Sequence, residues 1–273
     1  MLKRQKTGSV LCPSCGKLVG VTDEVCYNCG RRNPGMWGFA GVLRRMGGSL
    51  GFAPVVIYGC ALLYAATLIM DPQGIRMSGL SILSPSTRSL AAFGASGALP
   101  VFGYDRWWTV LSAAWLHGGL LHIAFNLLWI RQLAPAAAEL YGASRAAIIY
   151  TVASVTGFLL STLWGIPLTV GASAPIFGLL GALVAYGRRT GSRQIGSQAL
   201  TYAAVLFVFG FLMPNVDNFA HLGGFAGGFV AGRVLHPLLP ERVGHTIGAL
   251  VCLGLTALSI VASVATSGVF FAG

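Results

Sequence analysis

The chain has 273 residues, 55% of them hydrophobic and 9% charged, with a mean hydropathy of +0.74. Soluble domains carry about 25% charged residues, so this composition excludes a water-soluble globular protein and indicates a polytopic membrane protein embedded in a lipid bilayer. The net charge of +11 gives no reason to expect nucleic acid, because the basic residues flank apolar runs, as the positive-inside bias requires.

Residues 1–33 form a polar, cysteine-rich segment. Its start, MLKRQKTGSVLCPSCGK, has no apolar core of the kind a cleavable leader needs, so the first membrane helix is expected to act as the insertion signal. Cys12-Pro-Ser-Cys15-Gly and Cys26-Tyr-Asn-Cys29-Gly are paired CxxC knuckles. Four thiolates so spaced suit a closed tetrahedral zinc site. Two disulfides are the competing reading, disfavoured in a reducing cytosol; a redox pair would need only one knuckle. The expectation is a small cytosolic zinc ribbon whose folding is driven by metal, with a partner that the sequence does not identify. Residues 34–52, rich in Gly and carrying Arg44 and Arg45, read as a linker or interfacial segment.

Seven apolar runs follow, at 53–70, 108–134, 143–164, 172–188, 197–213, 218–236 and 245–267, each near the ~17–25 residues that cross the hydrocarbon. The intervening stretch 71–107 contains Pro72, Pro85 and Pro100 and reads as an ordered loop dipping into the interface, with a short helix at LAAFGAS. Trp107, Trp108 and Trp115 suggest an interfacial aromatic belt. Of the 18 Lys and Arg, only Arg76, Arg88 and Arg106 fall outside if the N-terminus is cytoplasmic. That orientation is therefore expected. It brings His117, Ser173 and His221 toward the extracytoplasmic side of the cell membrane.

Polar side chains inside such runs cost a few kcal/mol each and mark function. His122 and Asn126 are four apart and share a helix face; His117, five earlier, projects elsewhere. His221, Gly224, Gly228 and Gly232 form one stripe, and Ser173, Phe177 and Gly181 another. If the stripes face each other, a hydroxyl can meet an imidazole. Ser173 opens its helix with Pro175 just inside, and the free amides of a helix N-terminus favour a developing oxyanion. No Asp or Glu lies in a span near these residues, so a Ser–His dyad fits better than a triad. The bland readings are a back-bonded serine and packed or metal-binding histidines.

Taken together, WLHGGLLHIAFN, GASAPIFG and AHLGGFAGG resemble the HxxxxHxxxN, GxSG-containing and His-xx-Gly-xxx-Gly motifs of the rhomboid intramembrane serine proteases, and RWWTVLSAAWLH resembles the end of their first-loop motif. The resemblance covers about residues 53–240. It implies an all-α fold: a six-helix core over 53–240, with an additional transmembrane helix in 241–273. It implies Ser173 as nucleophile, His221 as general base, and His122 and Asn126 with the Ser173 amide as oxyanion hole. His117 would tie the first loop or the helix end by hydrogen bonds. Phe177 would pack on the catalytic imidazole, and Gly224 and Gly228 would admit close helix approach. Catalysis would need no cofactor, and the substrates would be transmembrane proteins cut in or near their membrane segments. Ala174 stands where the family usually has Gly, and Thr109 where many members have Arg, which predicts a missing first-loop contact. The rivals are a catalytically silent relative that binds membrane proteins, and a transporter or proton channel using the histidines. The latter would more often carry intramembrane carboxylates.

Overall fold

The computed structural model describes residues 4–43, 51–79, 81–213 and 215–270. Arg44 and Arg45, with the rest of residues 44–50 of the expected 34–52 linker, lie outside the described residues.

At the N-terminus, β1 (Ser9–Leu11) and β2 (Leu18–Gly20) pair antiparallel with Val10 opposite Val19. The hairpin connection is the first cysteine knuckle. Val10, Val19 and Val21 pack with Cys12, Cys26 and Ala40, a core too small to hold a fold without a further tie.

The membrane part is all-helical apart from one short hairpin. Its bundle helices are α1 (Phe52–Met70), α4 (Leu120–Tyr141), α5 (Ala143–Leu163), α6 (Ser173–Thr190), α7 (Arg193–Leu212) and α8 (Asn218–Val234), followed by a seventh, α9 (Val243–Ala265). Among the described residues α1, α5, α7 and α9 are long and apolar enough to cross a membrane, and the bent pair Thr109–Trp115 with Leu120–Tyr141 brings the number to five where it is counted as one span. The protein is therefore a multi-pass membrane protein. α8, at 17 residues, and α6, with Arg188 and Arg189 in its last turn, are shorter or less apolar, and both lie in the middle of the bundle. Leu179, Leu180 and Ala182 of α6 are fully buried. The α6–α8 interface is the most extensive in the molecule, followed by α5–α8. α7 is the opposite case, peripheral and with only Ala199, Ala203 and Gly210 buried.

Three expectations from the sequence are corrected here. The run at 108–134 is not one helix: α3 (Thr109–Ser112) and a 3-10 turn end at Trp115, the chain turns by 92°, and α4 begins at Leu120 and runs to Tyr141. Gly118 and Gly119 sit in this bend, and His117 lies in it rather than on a helix face. Trp115 is not interfacial but 7% exposed and edge-on to Tyr150 at 5.9 Å. Residues 71–107 contain the expected short helix, α2 (Thr87–Phe93), together with a hairpin the sequence reading did not foresee, β3 (Arg76–Ser78) and β4 (Ser81–Ser84).

Candidate active site

α6 supplies the central position. Ser173 is its first residue, and Pro175 in the first turn costs no hydrogen bond because those amides lack intrahelical partners. One turn on, Phe177 lies flat against His221 of α8, with ring centroids 4.2 Å apart and planes at 15°. The helices come this close because they meet glycine to backbone. A methyl on Gly224 would strike the Ala174 carbonyl, and one on Gly228 would strike Gly178. α5 joins the seam at Gly157, whose Cα faces the Ala220 carbonyl and the Ala174 methyl.

The protonation of two imidazoles follows from their partners. The Gly118 amide donates to His122 Nδ1 at 3.2 Å. An amide can only donate, so Nδ1 holds the lone pair and Nε2 carries the proton. That Nε2–H faces Gly171: a methyl there would lie 2.7 Å from His122 Nε2 and 3.6 Å from Ser173 Oγ. Gly171, at φ +135°, is thus glycine for backbone and for space. On α8, His221 Nδ1 sits 3.0 Å from Asn218 Oδ1. An acceptor there places the proton on Nδ1 and leaves Nε2 as a base. His122 presents a donor and His221 an acceptor at the same end of the bundle. Ser173 and His122 are half-buried, whereas His221, Asn126 and His117 are buried. Ser173 and His221 make no hydrogen bond to each other among the described residues.

Asn126 gives one amide hydrogen to the His122 carbonyl at 2.8 Å, and its Oδ1 has no partner. His117 lies in the bend ahead of α4. It is fully buried and edge-on to His122 at 5.2 Å, and neither ring nitrogen has a side-chain hydrogen bond among the described residues.

A carboxylate does lie close to the site. Asp217 caps α8, accepting from the Phe219 and Ala220 amides at 3.1 and 3.0 Å and from the Ser161 hydroxyl. Its acceptor capacity is spent on the helix end, and the imidazole is held by Asn218 instead. Asn218 was missed in the sequence, although its spacing, three residues before His221 on one helix, is the signal that finds it. Thr109 likewise does not leave a gap. It is fully buried and donates to the Arg106 carbonyl at 2.8 Å, and the Arg106 guanidinium itself is buried beside it.

Remote from this site, the sulfurs of Cys12, Cys15, Cys26 and Cys29 all lie within 4.8 Å of one another. Cys12–Cys29 and Cys15–Cys26 are 3.7 and 3.6 Å apart, far beyond a disulfide bond of about 2.05 Å. They match the edge of a tetrahedron with metal–sulfur bonds of about 2.3 Å, which is about 3.8 Å. The knuckles are built alike: Gly16 and Gly30, at φ +75° and +70°, donate to the Cys12 and Cys26 carbonyls, each at 2.9 Å. The Lys17 amide brings the Cys15 thiol down to about 6, while burial pushes Cys12 up to about 11. The cluster is fit to hold a metal ion.

Fold and site together define a polytopic helical membrane protein with a hydroxyl, two imidazoles and two carboxamides gathered at one end of its central helices. Residues 104–238 match the Rhomboid domain family model. The chain is 36% identical over 155 residues to rhomboid protease GluP of Bacillus subtilis (strain 168), covering 56% of this chain and 30% of that protein. It is 30% identical over 203 residues to RHOMBOID-like protein 7 of Arabidopsis thaliana (70% of this chain, 64% of that one), and 33% over 153 residues to rhomboid-like protease 3 of Toxoplasma gondii (53% and 57%). The chain belongs to the rhomboid family, with a four-cysteine ribbon ahead of the matched domain. It spans less than two thirds of the length of each of these relatives.

Proposed function

We propose that this protein is an intramembrane serine endopeptidase that cuts transmembrane proteins in or near their membrane segments. One observation carries the reading: the His221 imidazole, stacked on Phe177 one turn from Ser173, has Nδ1 held by Asn218, which leaves Nε2 free as a base at the level of the serine. Ser173 Oγ attacks the scissile carbonyl carbon as His221 Nε2 takes its proton. The resulting oxyanion accepts hydrogen bonds from His122 Nε2–H, from the remaining Asn126 amide hydrogen and from the Ser173 backbone amide at the positive end of α6. Collapse expels the amine, which receives the proton from His221, and water then hydrolyses the acyl-enzyme by the same steps in reverse order of partners. The N-terminus is cytoplasmic in this reading and the site opens to the extracytoplasmic side of the cell membrane. The ribbon holds a structural zinc ion, with no metal in the catalytic steps.

The test is labelling by a fluorophosphonate probe, together with cleavage of a single-span substrate, on purified full-length protein in liposomes. Wild type is expected to label and cleave. Ser173→Ala and His221→Ala are expected to lose at least about 10³-fold in cleavage. A folded wild-type protein that neither labels nor cleaves would favour the silent membrane-protein binder, and equal product from all three would defeat the mechanism.

A further inference from the structure

The seventh helix lies beyond the matched domain, which ends at residue 238, yet it carries a polar face directed at the chain that leads into the site. Ser259 and Ser263, one turn apart on α9, are 2% and 0% exposed. The Ser259 hydroxyl donates to the Trp108 carbonyl at 2.7 Å, and the Trp108 indole N–H donates to Ser263 Oγ at 3.0 Å. Beside them Arg106 is buried at 2% exposure, with no carboxylate partner among the described residues. Its guanidinium donates to the Ala91 carbonyl at 2.8 Å and the Ser263 carbonyl at 2.6 Å. Both carbonyls belong to the last turn of a helix, α2 and α9, where the partial charge is negative. Two helix ends therefore stand in for a counter-ion, and the Phe270 ring, 5.0 Å from the guanidinium carbon, covers the cation.

From this cluster a short path of backbone and hydrogen bonds leads to the segment ahead of the candidate nucleophile. Residues 109–115 follow Trp108 and are fixed on the other side by the Ser154 hydroxyl on the Val110 carbonyl at 2.9 Å. The Ala113 carbonyl accepts from the Gly171 amide at 3.0 Å. Gly171 is the residue wedged between His122 Nε2 and Ser173 Oγ. A second tie, Ser96 paired with Thr169 through hydrogen bonds of 3.1 and 2.7 Å, joins the first loop to the same strand of chain ahead of Ser173.

We propose that α9 is a positioning element for the active site, in which Ser259, Ser263 and Arg106 clamp Trp108 and so hold the 109–115 segment and Gly171 in register with Ser173. The inference rests on the reading of Ser173 as nucleophile. None of the three clamp residues touches the reacting atoms. The requirement is geometric, since displacements of about 1 Å far from the chemistry can cost up to about 100-fold in rate.

The test uses full-length protein carrying Ser259→Ala together with Ser263→Ala, and separately Ser263→Thr, which keeps the hydroxyl. Three readouts are needed: kcat and KM on a single-span substrate, the rate of fluorophosphonate labelling, and hydrogen exchange at residues 106–115 and 169–172. The double variant is expected to lose about 10- to 100-fold in kcat and in labelling rate with KM within about twofold, to exchange faster in both segments, and to melt within a few degrees of wild type. Ser263→Thr is expected to keep the wild-type values. Unchanged exchange and kcat in a folded double variant would overturn the clamp. So would a loss of kcat fully accounted for by unfolding, or one that Ser263→Thr shares. A wild-type protein that neither labels nor cleaves would defeat the protease reading alone, and the exchange measurement would still decide whether α9 holds the loop.

Discussion

Asn218 shows how one side chain assigns a role to another. An imidazole offers two nitrogens, and only a partner on one decides which proton state the other presents. Asn218 makes that choice for His221, and the Gly118 amide makes the opposite choice for His122. Replacing Asn218 by Ala is expected to lower kcat about tenfold, the equivalent of one lost orienting hydrogen bond of about 1–1.5 kcal/mol, with KM little changed. Steady-state cleavage in liposomes checks this, and an unchanged kcat would show that Phe177 stacking alone orients the ring. The contact surface of Asn218 extends to α7, where Gly210 leaves it room.

Among the elements, the α6–α8 pair sets the depth of the site. Membrane helices gain little from apolar burial against each other, so close backbone approach must supply the packing. Gly228 faces the Gly178 backbone, whereas Gly254 of α9 has open space around it. Gly228→Leu is therefore expected to destabilise the protein by about 3 kcal/mol through overpacking, while Gly254→Leu leaves it unchanged. Thermal unfolding in detergent would measure both, and equal melting of the two variants would contradict the seam. A different device closes the far end of the bundle. The buried Arg145 guanidinium donates to the carbonyls of Tyr141, His236 and Leu239, and the Arg145 amide donates to Glu241 at 2.9 Å. This ties the α4–α5 junction to the connection between α8 and α9.

On the scale of the whole molecule, a bundle stabilised by buried helix contacts is joined to a ribbon whose apolar core is only a few residues. Such a ribbon depends on its metal for folding. One zinc per chain is expected to copurify. Stripping it with a strong chelator is expected to open residues 4–43 to protease while the helical part remains resistant. Digestion with mass mapping would read this out, and a ribbon that stays protected after complete metal loss would refute a structural role. α9 belongs to the same scale, because it connects the end of the chain to the loop that precedes α4.

Motif residues were the most legible part of the chain, because chemistry restricts residue type locally: paired CxxC knuckles, a Ser at a helix start, His and Asn four apart. Apolar runs located the helices for a similar reason, since the hydrocarbon imposes a minimum length. The break at 116–119 was not legible, because His117 and its glycines continue an apolar run, and the groups packed around the bend, such as Tyr150 against Trp115, are distant in sequence. Nor were the partners of Arg106, Thr109 and Asp217, since a buried polar group is satisfied by whichever carbonyl or amide the fold delivers. Ser259 and Ser263 read as ordinary small residues of a membrane helix until Trp108, more than 150 positions away in the chain, is laid against them. By itself the sequence determined residue types and periodicities, because these follow from local chemistry and from the lipid. Only the tertiary structure decided which nitrogen of each imidazole is held by a partner and which helix is bonded to the loop ahead of α4, because hydrogen-bond direction and close approach depend on groups distant in sequence.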